Sequence, residues 1–191
     1  MNDFNYSPIF PVSIDETEYI KISDFYVKTS KINNEEILII DPKALILLSQ
    51  RAFKDVSHLL RKSHLKQLRD ILEDEEASSN DKFVALTMLK NANISASGVL
   101  PMCQDTGTAI ILGYKGEKVF TNSDDNKFLS LGVYNTYRDN NLRFSQLAPL
   151  TMFQEKNTAN NLPAEISIFA NEGQEYKFAF VQKGGGSANK S

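Results

Sequence analysis

Residues 99 to 109 read V-L-P-M-C-Q-D-T-G-T-A and carry the only cysteine of the chain, Cys103. A thiolate can hold iron, and the neighbouring Asp105 can act as acid or base on whatever the iron binds. Gln104 can donate hydrogen bonds to a substrate oxygen, and a T-G-T turn exposes backbone N–H groups. By residue type these are parts of a Lewis-acid site. Spacing alone leaves a second reading open, a buried structural cysteine, because a free thiol packs well as a small apolar group.

Other chemistry-bearing residues point to blander roles. His58 and His64 are six apart, on different faces of a helix, so they form no metal-binding pair and read as surface or boundary histidines. The run E-D-E-E at 73 to 76 lacks the spaced ligands and central glycine of a calcium loop and reads as a solvated helix end. The end G-G-G-S-A-N-K-S at 184 to 191 approaches the phosphate-binding pattern G-x-x-x-x-G-K-[ST]. Asn189 stands where that pattern needs glycine, and no residue follows Ser191 to form the helix that receives the phosphate.

The elements that must position the Cys-Gln-Asp stretch are legible from pattern. The first forty residues read as short extended pieces, with I-L-I-I at 37 to 40 the best strand. Asp41-Pro42 supplies an N-cap and a first-turn proline for a helix over 42 to 56, with Leu45, Leu48, Ala52, Phe53 and Val56 inward. A second helix covers 63 to 73, and a third starts from the S-S-N-D cap near residue 80. After Gly98, A-I-I-L-G-Y, a Lys-Gly turn and E-K-V-F-T predict a hairpin. A helix follows at 126 to 139 with Phe128, Leu131, Tyr134 and Tyr137 inward, and E-I-S-I-F-A, N-E-G-Q, E-Y-K-F-A-F-V-Q predicts a second hairpin. The expected fold class is therefore α+β, a helical first half followed by β-hairpins and a helix, in a single domain over 1-191.

Composition bounds the partners. The chain has 191 residues, 41% hydrophobic, with a formal net charge of -3 and a pI near 5.5. No basic surface is on offer to nucleic acid or to an anionic membrane. No apolar run is long enough to span a bilayer, and the first residues lack a secretory signal, so the expected location is cytoplasmic and reducing. One cysteine excludes an internal disulfide.

Five longer stretches narrow the reading further. G-V-L-P-M-C-Q-D-T-G-T-A-I at 98 to 110, G-V-Y-N-T-Y at 132 to 137, N-L-R-F-S-Q at 141 to 146, N-L-P-A at 161 to 164 and K-G-G-G-S-A-N-K at 183 to 190 resemble the amino-terminal part of the class I, iron-sulfur-dependent fumarate hydratases. D-E-E-A-S-S-N-D-K-F-V-A-L at 74 to 86 extends the resemblance to the earlier helices.

The resemblance implies reversible hydration of fumarate to (S)-malate in a homodimer, with a [4Fe-4S] cluster held by three cysteines and one iron open to substrate. It makes Cys103 the first cluster ligand. Gln104 and Asp105 become substrate contacts, with Asp105 also assisting proton transfer. Arg143 becomes a carboxylate clamp, suited by its bidentate fork, and Gly186 a glycine whose N–H approaches the substrate. It also places two further cluster cysteines and a carboxy-terminal domain beyond Ser191, so the chain is expected to be a fragment, the product of an interrupted gene or one of two subunits. An L-tartrate dehydratase-like activity and a non-catalytic, partner-binding remnant are the alternatives.

Overall fold

A computed structural model describes residues 18–184. Its elements are β1 (Val27–Ile32), β2 (Glu35–Ile40), α1 (Pro42–His58), α2 (Lys62–Glu73), α3 (Ser79–Ser95), β3 (Thr108–Gly116), β4 (Val119–Phe120), α4 (Asp125–Asp139), β5 (Leu147–Pro149), β6 (Glu155–Asn157), β7 (Glu165–Asn171) and β8 (Tyr176–Lys183). The α+β class stands. Helices α1 and α3 begin where their caps say they should. Asp41 accepts from Lys43 N ahead of Pro42, and Ser78 and Asp81 close a reciprocal capping box on α3.

Strand partners differ from the expected hairpins. β3 lies between β7, parallel to it, and β8, antiparallel to it, so the two halves of the second predicted hairpin flank a third strand. β4 does not fold back on β3 but pairs in parallel with β2, which forms a true hairpin with β1. That hairpin turns on Asn33 and Asn34, both at positive φ, the conformation that a two-residue hairpin turn requires. The physical reason for the central place of β3 lies in its own residues: A-I-I-L is apolar on both faces and needs cover on both sides and both edges. Polar turn residues mark where a chain reverses, and they carry no information about which strand edge it meets.

The core joins α1, α4 and this second sheet through Leu45, Phe53, Ala109, Ile111, Leu129, Val133 and Tyr137. On β8 the inward aromatics Tyr176, Phe178 and Phe180 form a ladder, with Phe180 edge-on to Phe53 at 5.5 Å.

The α1–α4 seam is built from small and polar groups. A Cβ at Gly132 would stand 2.6 Å from Ser49 Cβ and 2.7 Å from the Ile46 carbonyl, so the two backbones touch only because residue 132 is glycine. Ser49 Oγ donates to Leu129 O at 3.0 Å, and Thr136 Oγ1 to Gly132 O at 2.8 Å. This corrects the inward faces read from hydrophobicity. On α4 the buried residues are Asp125, Leu129, Gly132, Val133, Thr136 and Tyr137, while Leu131 is 40% exposed. On α1 Ser49 and Ser57 are buried and Val56 is exposed. His58, expected at the surface or boundary, is buried at 3% exposure, with Nδ1 2.8 Å from the Lys54 carbonyl.

A buried ion pair ties β3 to α4. Lys115 Nζ lies 2.7 Å from Asp125 Oδ2, which also accepts from Tyr176 OH at 3.0 Å. Burial pushes the Asp125 carboxyl up, but hydrogen bonds from Lys115, Thr121 and Tyr176 and the Lys115 charge hold it below its ordinary value. A depressed carboxyl stabilises the fold above its unfolded-state value and loses that contribution as pH falls through the folded one. Lys115→Met should therefore cost about 2 to 3 kcal/mol at pH 7, between an exposed and a fully buried pair. The deficit should shrink as pH falls through the carboxylate range. Urea midpoints at several pH values check this, and a deficit constant with pH would assign the loss to packing.

Candidate active site

The Cys103-Gln104-Asp105 span bridges two fastened residues. On its near side Met102 donates its N–H to Ser57 O at 2.9 Å and accepts Asn91 Nδ2 at 2.8 Å. On its far side Thr106 is buried, donating Oγ1 to the Arg143 carbonyl at 2.8 Å and accepting Tyr137 OH at 2.7 Å. Three residues between such anchors have little freedom to wander, which is what a preorganised site needs.

Cys103 is exposed, which excludes the buried structural role. Gln104 is exposed as well, and Asp105 is half-buried. The hydrogen bond from Thr106 places the backbone of Arg143, from a motif far along the chain, directly beside the span. The Arg143 side chain is exposed and enters no ion pair with the described residues. Asp105 reaches the end of β8, where its carboxylate lies against Gly184, the first glycine of K-G-G-G. Of the five expected site residues, Cys103, Gln104 and Asp105 lie in one span with the Arg143 backbone beside it, together the rim of the candidate site. Gly186, the fifth, lies outside the described residues, as does all but the first residue of the stretch read against the phosphate-binding pattern.

The polar groups beneath the rim went unread in the sequence. Tyr137 OH bridges the Thr106 carbonyl and Gln182 Nε2, which donates to it at 3.2 Å and reaches Ser57 Oγ at 3.4 Å. Burial pushes the Tyr137 phenol up to about 12; the Asp105 charge adds to the rise, and hydrogen bonds with Gln182, Thr106 and Asn161 oppose it. Tyr137 thus stays a neutral donor at any physiological pH. Asn161, 1% exposed and at φ 55°, accepts Ser145 N at 2.9 Å and Gln146 N at 3.1 Å and donates Nδ2 to the Gly107 carbonyl at 3.0 Å. Its side chain thereby locks the segment after Arg143 to the turn after Asp105. The one available signal for Asn161 was its place at the head of N-L-P-A. Tyr137 looked like ordinary core.

The span and its neighbours thus offer an exposed thiol, an exposed amide, a half-buried carboxylate and an exposed guanidinium that enters no ion pair among the described residues. Such a set can hold a small anion and exchange a proton with it. Among the described residues no helix is long and apolar enough to cross a membrane.

Comparison with known proteins identifies the family. The family model described as fumarate hydratase (Fumerase) matches residues 47–191. The aerobic class I fumarate hydratase of Escherichia coli strain K12 is 53% identical over 188 residues, covering 98% of this chain and 34% of that protein. Its anaerobic counterpart in the same strain is 54% identical over 188 residues. Fumarate hydratase 1, mitochondrial, of Leishmania major is 55% identical over 192 residues, 99% of this chain and 35% of its own length. The chain spans about a third of the length of the curated relatives it matches. With a family model covering most of its residues and half-identity running nearly end to end, the chain belongs to the fumarate hydratase family.

Proposed function

We propose that this chain forms the Cys-Gln-Asp side of a site that hydrates fumarate reversibly to (S)-malate. The observation that supports the reading is the Thr106–Arg143 hydrogen bond, hydroxyl to backbone carbonyl, which holds the main chain of N-L-R-F-S-Q beside the Cys-Gln-Asp span.

In this reading Arg143 takes one substrate carboxylate in a bidentate pair, and the Gln104 amide donates to a second substrate oxygen. Asp105 accepts the proton released as water adds its hydroxyl to one carbon and returns it to the departing hydroxyl in the reverse, while the proton that the second carbon gains on hydration and loses on dehydration is exchanged with an acid–base group on the other side of the site. Gly186 offers a backbone N–H to the substrate. The exposed thiol suits a reducing, cytoplasmic setting.

The [4Fe-4S] cluster implied by the resemblance does not fit the donors of these 191 residues as a complete set. A cubane with one open iron takes three thiolates, the sequence holds Cys103 alone, and the described residues contain no group of three or more histidine, cysteine or acidic side chains able to hold a metal ion. Cys103 is proposed as one ligand only, and no step above is routed through the cluster.

The test is a full-length hybrid, in which this chain replaces the matching third of the aerobic Escherichia coli relative. It is purified without oxygen and assayed on fumarate, malate and L-tartrate. Hydration of fumarate supports the proposal. A folded, cluster-loaded hybrid inert to fumarate overturns it, and turnover of tartrate alone would reassign the substrate. In the active hybrid, Arg143→Lys keeps the charge and loses the planar fork, so malate affinity should fall about 10- to 150-fold, or about 1.5 to 3 kcal/mol. Unchanged malate kinetics would remove the clamp role.

A further inference from the structure

The Thr106-Gly107-Thr108 turn and the Lys183-Gly184 step lie backbone to backbone, and neither glycine has room for a side chain. A Cβ at Gly107, whose φ is +57°, would overlap the Lys183 carbonyl and stand 2.6 Å from Gly184 N. At Gly184 the obstacle is different. A Cβ there would stand 2.8 Å from Asp105 Oδ2 and 3.0 Å from its Cγ, while the nearest backbone atom outside the adjoining residues, the Asp105 carbonyl oxygen, is at an ordinary 3.4 Å. The backbone of Gly184 is not in the left-handed region, so its conformation does not by itself demand glycine. The group that a side chain at 184 would displace is the Asp105 carboxylate.

We propose that Gly184 is a positioning residue for Asp105: the space left by its absent side chain is the seat of the carboxylate, and it determines where the two carboxylate oxygens point on the rim. The inference rests on the reading of Asp105 as the proton-handling residue, and it gives the first glycine of K-G-G-G a task separate from that of Gly186. Because the obstacle is the end of a side chain, Gly184→Ala turns the carboxylate away at a modest cost in stability. Misplacing a catalytic group by about 1 Å can cost about 100-fold in rate.

The experiment uses the full 191-residue chain and needs no turnover, so its outcome is independent of whether fumarate is the substrate. Carboxyl ¹³C spectra locate the Asp105 signal by its loss in Asp105→Asn. Urea midpoints are measured for the parent chain, Gly184→Ala, Asp105→Ala and the double variant. The expected result is a displaced Asp105 carboxyl signal in Gly184→Ala, with the other aspartates unmoved. The midpoint lowered by Gly184→Ala should also be restored when Asp105→Ala removes the carboxylate, a non-additivity that marks direct contact. An unmoved Asp105 signal overturns the proposal. So does a cost of Gly184→Ala that is the same with and without the Asp105 carboxylate, including failure of both to fold, because the glycine would then serve the backbone alone.

Discussion

In the full-length hybrid, Asp105→Asn will lower turnover of fumarate by about 10²- to 10⁴-fold, the usual contribution of a positioned acid or base. The substitution keeps the size of the side chain and one of its acceptor oxygens, so packing against Gly184 and the anchors at Met102 and Thr106 persist. It removes the capacity to take up and release a proton. KM for fumarate should therefore stay within a few-fold while kcat falls, the signature of an interaction realised in the transition state. Metal content of the hybrid should be unchanged. Loss of metal with retained turnover per loaded site would make Asp105 a structural residue.

Asn161→Ala will destabilise the chain by about 3 to 5 kcal/mol. Two half-buried backbone groups lose their partner at once, the N–H of Ser145 and the N–H of Gln146, and the carbonyl of Gly107 keeps only the bond from Tyr137 OH at 3.2 Å. Each unsatisfied group costs about 1 to 3 kcal/mol, with some recovery where water reaches the gap. Alanine at a φ of 55° adds strain that asparagine tolerates better. Because the contact ties the turn after Asp105 to the segment after Arg143, the two sides of the rim should lose their register together. Urea denaturation read by tryptophan-free tyrosine fluorescence and far-UV circular dichroism measures the loss. A cost below about 1 kcal/mol would mean that water replaces the amide well and that Asn161 is dispensable to the rim.

Much of the fold was legible because its determinants are local. Asp41-Pro42 and the Ser78–Asp81 box start their helices through contacts within a turn, and A-I-I-L is apolar on both faces whatever surrounds it. The errors came from contacts across the chain. Leu131 fits a helical stripe by spacing yet faces solvent, because α4 meets α1 at Gly132, where glycine lets the backbones touch, and a hydrophobicity pattern scores glycine and serine as nothing. Val56 gives way to Ser57 for the same reason: the Ser57 hydroxyl bonds the Phe53 carbonyl and receives Gln182, so a polar side chain is at home inside.

For the site, the linear run C-Q-D-T-G-T and its four companion stretches were enough to name the family, because such runs are read without knowing where they fold. By itself the sequence determined the α+β class, the helix starts, the single thiol and the family. Only the tertiary structure decided that β3 separates β7 from β8, that Cys103 is exposed, that the Arg143 backbone comes to Thr106 and that Gly184 comes to Asp105. Those outcomes depend on which distant backbones can approach and which buried polar groups find partners. That choice is made jointly by Gly107, Gly132, Tyr137, Asn161 and Gln182, and no single stretch of sequence contains it.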